Sequence, residues 1–157
     1  MWPTLLLIIA ANGAPVLAGR VLRGHWWAPV DLGLRLPDGR RLFGPSKTWR
    51  GVVAALLVCT ALAPLLGLSP WIGLAAGALA MAGDLLSSFV KRRLGLAPSS
   101  RLRLLDTLPE SLVPGLGLML PLGLDATDLL LLVILFTLFH WLASPLLHRL
   151  RIRRQPW

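Results

Sequence analysis

The chain has 157 residues, 55% hydrophobic and 15% charged, with a mean hydropathy of +0.70 and a formal net charge of +9. That balance lies outside the range of a soluble domain and points to an integral membrane protein of a single domain. The basic excess does not indicate nucleic acid, because most of the sixteen Lys and Arg sit within a turn or two of an apolar boundary, where membrane topology and anionic lipid head groups account for them.

Apolar runs cover about 1–19, 51–68, 71–90, 110–123 and 126–147. At about 1.5 Å rise per residue, ~20 residues cross a hydrocarbon core of roughly 30 Å. Four runs meet that length readily, and the run at 110–123 is short. Counting five crossings places all sixteen basic residues on one side, in the loops 20–50 and 91–109 and in the tail 148–157. The fold expected is therefore all-α, with about five transmembrane helices, the N-terminus outside and the C-terminus in the cytoplasm.

The first run lacks a basic leader and is interrupted by Asn12, Gly13 and Pro15, so it reads as a resident helix and not a removable signal. Pro15 frees a carbonyl one turn earlier. Asn12 can bond that freed backbone, or it can face a polar cavity shared with Asp84; the sequence leaves both open. In the 20–50 loop, Leu32, Leu34 and Leu36 alternate, Pro37-Asp38-Gly39 supplies a turn, and Arg41 to Phe43 can return as a short strand. This is a small cytoplasmic hairpin, flanked by Trp26 and Trp27 at head-group level.

Lys47, Thr48 and Arg50 then lead into the second helix. A helix start favours anions, and an ammonium, a hydroxyl and a planar guanidinium suit phosphate oxygens. The plainer reading is a positive-inside flank with Ser46 as helix cap. Cys59, the sole cysteine, excludes an intramolecular disulfide and reads as a small packing residue.

The third helix is rich in small residues, with Gly73 and Gly77 at the spacing that lets helices approach closely in lipid. That face permits a homodimer, and internal packing would use it equally. Asp84 follows within the same apolar helix, about 10 Å along the axis from Lys91, near the cytoplasmic face. A carboxylate in hydrocarbon costs roughly 2.5 to 3.5 kcal/mol, so it is retained for a purpose. Ser87, Ser88 and Lys91 lie three, four and seven positions later, on or near one helical face; simple neutralisation of Asp84 by Lys91 or an Arg is the structural alternative. Thr107-Leu108-Pro109-Glu110 reads as a capping box, with Thr107 as N-cap, or Glu110 is a metal ligand. Asp106 has no such structural excuse. His140 reads as a hydrogen-bonded bundle residue, and Asp125 and Asp128 as caps of the last helix.

Three blocks resemble the CTP-dependent phosphatidate cytidylyltransferase superfamily, above all its short branch of CDP-archaeol synthases and small bacterial relatives. They are Ala11-Asn12 through Pro15, then Asp38-Gly39-Arg40-Arg41-Leu42-Phe43-Gly44 with Lys47-Thr48-Trp49-Arg50-Gly51, and Gly83-Asp84 through Ser88 to Lys91-Arg92-Arg93 with Gly95 and Asp106. The Lys-Asp pair and Gly-His-Gly-Gly segment of longer bacterial members are absent from the sequence, and Pro109 stands where the family's second terminal Asp belongs, with Glu110 one position later.

The resemblance implies a cytoplasmic-membrane enzyme of a prokaryote, with a homodimer as its assembly. The implied reaction transfers CMP from CTP to a lipid phosphate, giving a CDP-activated lipid and pyrophosphate. Its implied cofactor is Mg²⁺ on Asp84, Asp106 and Glu110. Asp84, Asp106 and Lys91 would be catalytic, and Asn12, Lys47, Thr48, Arg50, Ser87, Ser88, Lys91 and Arg92 would bind substrate phosphates. The partners expected are CTP, a lipid phosphate and membrane lipids, without nucleic acid. A competing reading is a non-catalytic small transporter or lipid-binding scaffold of the same fold.

Overall fold

The computed structural model describes residues 1–22, 25–96 and 103–149, leaving out the side chains of Arg103 and of 144–149. It contains five helices: α1 Trp2–Val21, α2 Trp49–Leu65, α3 Pro70–Arg93, α4 Arg103–Met119 and α5 Ala126–Arg149. Among the described residues no strand forms. The all-helical architecture matches the expectation. Helices α1, α3 and α5 are each long and apolar enough to cross a bilayer; α2 is apolar but has 17 residues. Arg101 and the basic tail beyond 149 lie outside the described residues.

The bundle is organised on α3, which packs against α2, α4 and α1. Its small residues explain why. A Cβ on Gly73 would lie 2.2 Å from the Cys59 carbonyl oxygen, and one on Gly77 would lie 3.0 Å from that of Ala55. The Gly73 and Gly77 face is thus used within the chain, to seat α3 directly on the α2 backbone. Leu7, Ala11, Ala55, Cys59, Ala76, Ala80 and Leu118 fill the resulting core, and Phe136 and Leu132 of α5 close a second cluster with Leu5 and Ile8. Most of α5 stays outside this packing, as a lipid-facing helix should.

Two local expectations need correction. Helix α4 begins at Arg103, two turns before the predicted start, because Leu104 and Leu105 extend its apolar pattern upstream. Thr107 is therefore not an N-cap: it lies fully buried inside the helix, where its carbonyl accepts from the Ser111 hydroxyl at 2.9 Å. Asp106 falls in the first turn of α4, where the helix dipole favours a carboxylate. The cap of α2 is Thr48, not Ser46; its hydroxyl accepts from Gly51 N at 3.4 Å. Asp125 does cap α5, accepting from Asp128 N at 2.7 Å, and Asp128 reaches back to Asp125 N.

The loop between α1 and α2 turns back through Pro37-Asp38-Gly39, held by Leu36 N to Arg40 O at 2.9 Å and Leu42 N to Leu34 O at 3.0 Å. Its ladder is too short for strands and leaves isolated bridges, Arg35 with Arg41 and Pro29 with Thr48. The hairpin is fastened to the end of α3. The Arg40 guanidinium donates to the carbonyls of Arg92 and Arg93, and Arg93 pairs with Asp38 at 2.6 Å. Arg50 does the same for α1, donating to the carbonyls of Leu22 and His25 at 2.9 and 3.0 Å. Cationic side chains at helix C-termini satisfy the last free carbonyls and oppose the negative dipole end.

Candidate active site

A cavity of about 540 Å³ opens between α1, the start of α2, α3, α4 and α5. Its lining divides by chemistry, with Asn12, Lys47, Thr48, Arg50, Asp84, Glu110 and His140 polar and Ile9, Val16, Leu17, Phe136 and Phe139 apolar. Such a division suits a ligand with a charged head and a hydrocarbon tail.

The polar lining depends on how α3 meets α4. A Cβ at Gly83 would lie 2.2 Å from the Pro109 carbonyl oxygen and 3.1 Å from the Glu110 Cα. Only glycine permits this crossing, and the crossing sets the next residue, Asp84, against Glu110. Both side chains line the cavity. The helices run antiparallel, so a step of seven residues along α3 brings Lys91 to Asp106, one turn before Glu110 on α4; their ion pair measures 2.5 Å.

Lys47 approaches from the loop before α2 and places its ammonium 2.5 Å from Asp84 Oδ1. Burial pushes the Lys47 ammonium towards lower pKa, but Asp84 foremost, then Glu110 and Asp106, outweigh it and hold Lys47 above its ordinary value. Lys91 in turn lies within electrostatic reach of Asp84. Two ammoniums and three carboxyl groups thus form one electrostatic unit, although Lys91 and Asp106 stand behind the cavity wall and do not line it.

The other expected site residues divide. Asn12 lines the cavity, and it also donates to the Ile8 carbonyl at 3.0 Å, so the two sequence-level alternatives combine, with a different carbonyl from the one Pro15 frees. Helix α1 continues through Pro15. Thr48 and Arg50 line the cavity while capping α2 and α1. Ser87 is buried, with its hydroxyl donating to the Asp84 carbonyl at 2.9 Å, and Ser88 is buried as well; neither lines the cavity. Arg92 lines a second, smaller pocket.

Sequence reasoning passed over Asp31. Its side chain is fully buried and accepts from Gly33 N, Phe43 N, Gly44 N and the Arg41 guanidinium. Burial pushes this carboxyl up, but Arg41 and then the Gly44, Gly33 and Phe43 amides prevail and hold it at about 2. Asp31 fixes the segment from which Lys47 reaches inward. An Asp two residues before a Gly was the available signal, since that pattern marks an Asx turn. His140 also lines the cavity, beside Phe136 with ring centroids 6.1 Å apart.

Asp84 and Glu110 offer adjacent hard oxygen donors on the cavity, which fits a Mg²⁺ ion taking one or two carboxylates and completing its shell with substrate phosphates. Among the described residues no three acidic, His or Cys side chains converge as a metal cluster, so Asp106 is not gathered with the other two.

Comparison with known proteins places this arrangement. The chain is 38% identical to the CDP-archaeol synthase of Pyrobaculum calidifontis over all of its own length and 94% of the relative. It is 34% identical to that of Pyrococcus furiosus over 94% of its length and 90% of the relative. A solved structure of an intramembrane enzyme for archaeal membrane lipid biosynthesis superposes with a TM-score of 0.74 at 35% identity, covering 90% of each chain. The CarS-like family, described as CDP-archaeol synthase, matches residues 2–69 and 70–157, and the chain belongs to that family.

Proposed function

We propose that this protein is a membrane cytidylyltransferase that transfers CMP from CTP to a lipid phosphate. The observation that carries the reading is the Lys47 and Asp84 pair with Glu110 in a cavity that is lined as well by Ile9, Leu17, Phe136 and Phe139. Family membership favours the enzyme over a transporter or a scaffold. The clustering of basic residues supports a cytoplasmic position for this polar lining, with the N-terminus outside.

An oxygen of the lipid phosphate attacks the α-phosphorus of CTP. The new P–O bond forms as the bond from that phosphorus to the bridging oxygen breaks, and pyrophosphate leaves with the electron pair. A lipid phosphate is already ionised at neutral pH, so no general base is needed. Catalysis of this kind rests on positioning and on neutralising phosphate charge. Lys47 supplies a point charge at the head of the cavity, and Thr48 a hydroxyl. Arg50 stiffens the same corner by holding the end of α1. Leu17, Phe136 and Phe139 receive the tail and keep water from the reacting phosphates. Magnesium, held by Asp84 and Glu110 when bound, would neutralise phosphate oxygens beyond what the lysines can offset. Lys91 keeps Asp106 in place behind this pair, a positioning role.

The test is pyrophosphate release by purified protein given CTP, a lipid phosphate and Mg²⁺. Turnover is expected with the metal and not with a chelator, and Asp84→Asn should lower it by about 10³-fold. Release that is absent with every lipid phosphate, or unaltered by Asp84→Asn, would favour the scaffold.

A further inference from the structure

On the far side of the Gly44 to Lys47 segment lies a second pocket of about 250 Å³. Arg35, Arg40, Arg41 and Arg92 line it, with Gly44 and Gly95 and, among the described residues, no carboxylate. Of the nearby acids, Asp31 offsets Arg41 itself, and Asp38 pairs with Arg93. We infer that this pocket is a phosphate-binding site separate from the central cavity.

Arg41 is offset by Asp31, but Arg35, Arg40 and Arg92 still bring three guanidiniums to one small space, and an anion relieves their repulsion. The fold holds them there regardless. Gly95 has φ +73, and a Cβ there would lie 2.9 Å from the Arg40 guanidinium; Gly44 has φ +98 and faces the Arg92 side chain. Both glycines let guanidiniums lie against bare backbone. Arg40 and Arg41 are fixed by their bonds to α3 and to Asp31, while Arg35 is tied through one nitrogen to the Gly39 carbonyl of its own hairpin. Most donors of Arg35 therefore remain for a ligand, and a planar fork of this kind matches a phosphate.

The surrounding surface sets the ligand's sources. Trp26, Trp27, Leu32 and Leu34 of the same loop are all exposed, a composition that belongs at a membrane interface. At that level a phosphate can come from an anionic lipid head group or from a soluble phosphate in the cytoplasm.

Two titrations of the full-length protein in neutral detergent, read by tryptophan fluorescence, distinguish these sources. One uses inorganic pyrophosphate and the other dihexanoyl phosphatidylglycerol below its micelle concentration. Saturable binding of at least one probe is expected, with affinity weakened about tenfold by Arg35→Glu and about threefold by Arg35→Gln. Lys47→Met, which removes the central cavity's own hold on phosphate, should leave the Arg35-dependent binding within about twofold. Pyrophosphate binding alone would identify a soluble phosphate, and phosphatidylglycerol binding alone a lipid head group. Binding of neither probe, binding indifferent to both Arg35 variants, or binding lost with Lys47→Met would overturn the inference.

Discussion

Asp31 and Asp84 each meet a basic partner, and their surroundings separate them. Asp31, in the loop, accepts five hydrogen bonds, two from Arg41 and three from backbone amides. That exhausts what a carboxylate can accept, and nothing remains for a ligand. Asp84, in α3, meets one ammonium and one neighbouring acid, and it faces open volume. The first arrangement locks a loop and the second waits for charge. Proximity of acid and base is therefore a poor guide to chemistry, whereas unspent hydrogen-bonding capacity next to a cavity is a better one.

The sharpest way to break this comparison is to disturb the crossing that gives Asp84 its neighbour. Gly83→Ala puts a methyl group where the Pro109 carbonyl lies, so α3 and α4 must separate. A displacement near 1 Å at the reacting centre costs about 10²-fold, and turnover should fall by that much. Steady-state pyrophosphate release, paired with circular dichroism to confirm helix content, measures it. Turnover within about threefold of the parent would show that the Asp84 and Glu110 contact does not position the substrate.

The sequence exposed some of this site and hid the rest for identifiable reasons. Asp84 was legible because a carboxylate inside an apolar helix is costly enough to need explaining, and Lys47 because it stands at a helix start. Gly73 and Gly77 announced a close helix contact, although only the coordinates show that α2 receives it. Helix α4 was misjudged because Thr107 and Glu110 have capping-box spacing, and a local pattern says nothing about a helix already running from Arg103. Asp31 stayed hidden because its partners Phe43 and Gly44 are 12 and 13 residues away. Ser87 and Ser88 share a helix with Asp84, but periodicity alone does not tell a cavity from the interior behind it.

The loop side of the comparison predicts a stability effect without a chemical one. Because the folded Asp31 carboxyl lies at about 2, below its ordinary 3.8, it contributes stability that is present above pH ~4 and lost as pH falls towards 2. The contribution is on the order of 2 kcal/mol. Asp31→Asn should lower the thermal midpoint at neutral pH and narrow the gap from the parent as pH approaches 2. Turnover per folded molecule at low temperature should change less than about threefold. A midpoint deficit that stays constant down to pH 2 would mean that the Asp31 charge is not what holds the loop.

Thr48 gives the smallest effect and the finest distinction, because it belongs to both regions: it caps α2 and lines the cavity. Removing the cap with Thr48→Ala should cost about 1 kcal/mol, seen as a lowered midpoint, with turnover down about fivefold. Thr48→Ser keeps the hydroxyl and the cap and should restore both. Thr48→Asn is the informative change, since asparagine caps as well as threonine but offers an amide in place of the hydroxyl. Recovery of the midpoint without recovery of turnover would assign the hydroxyl to the substrate. Recovery of both would make Thr48 a cap alone, and would leave phosphate binding at this corner to Lys47.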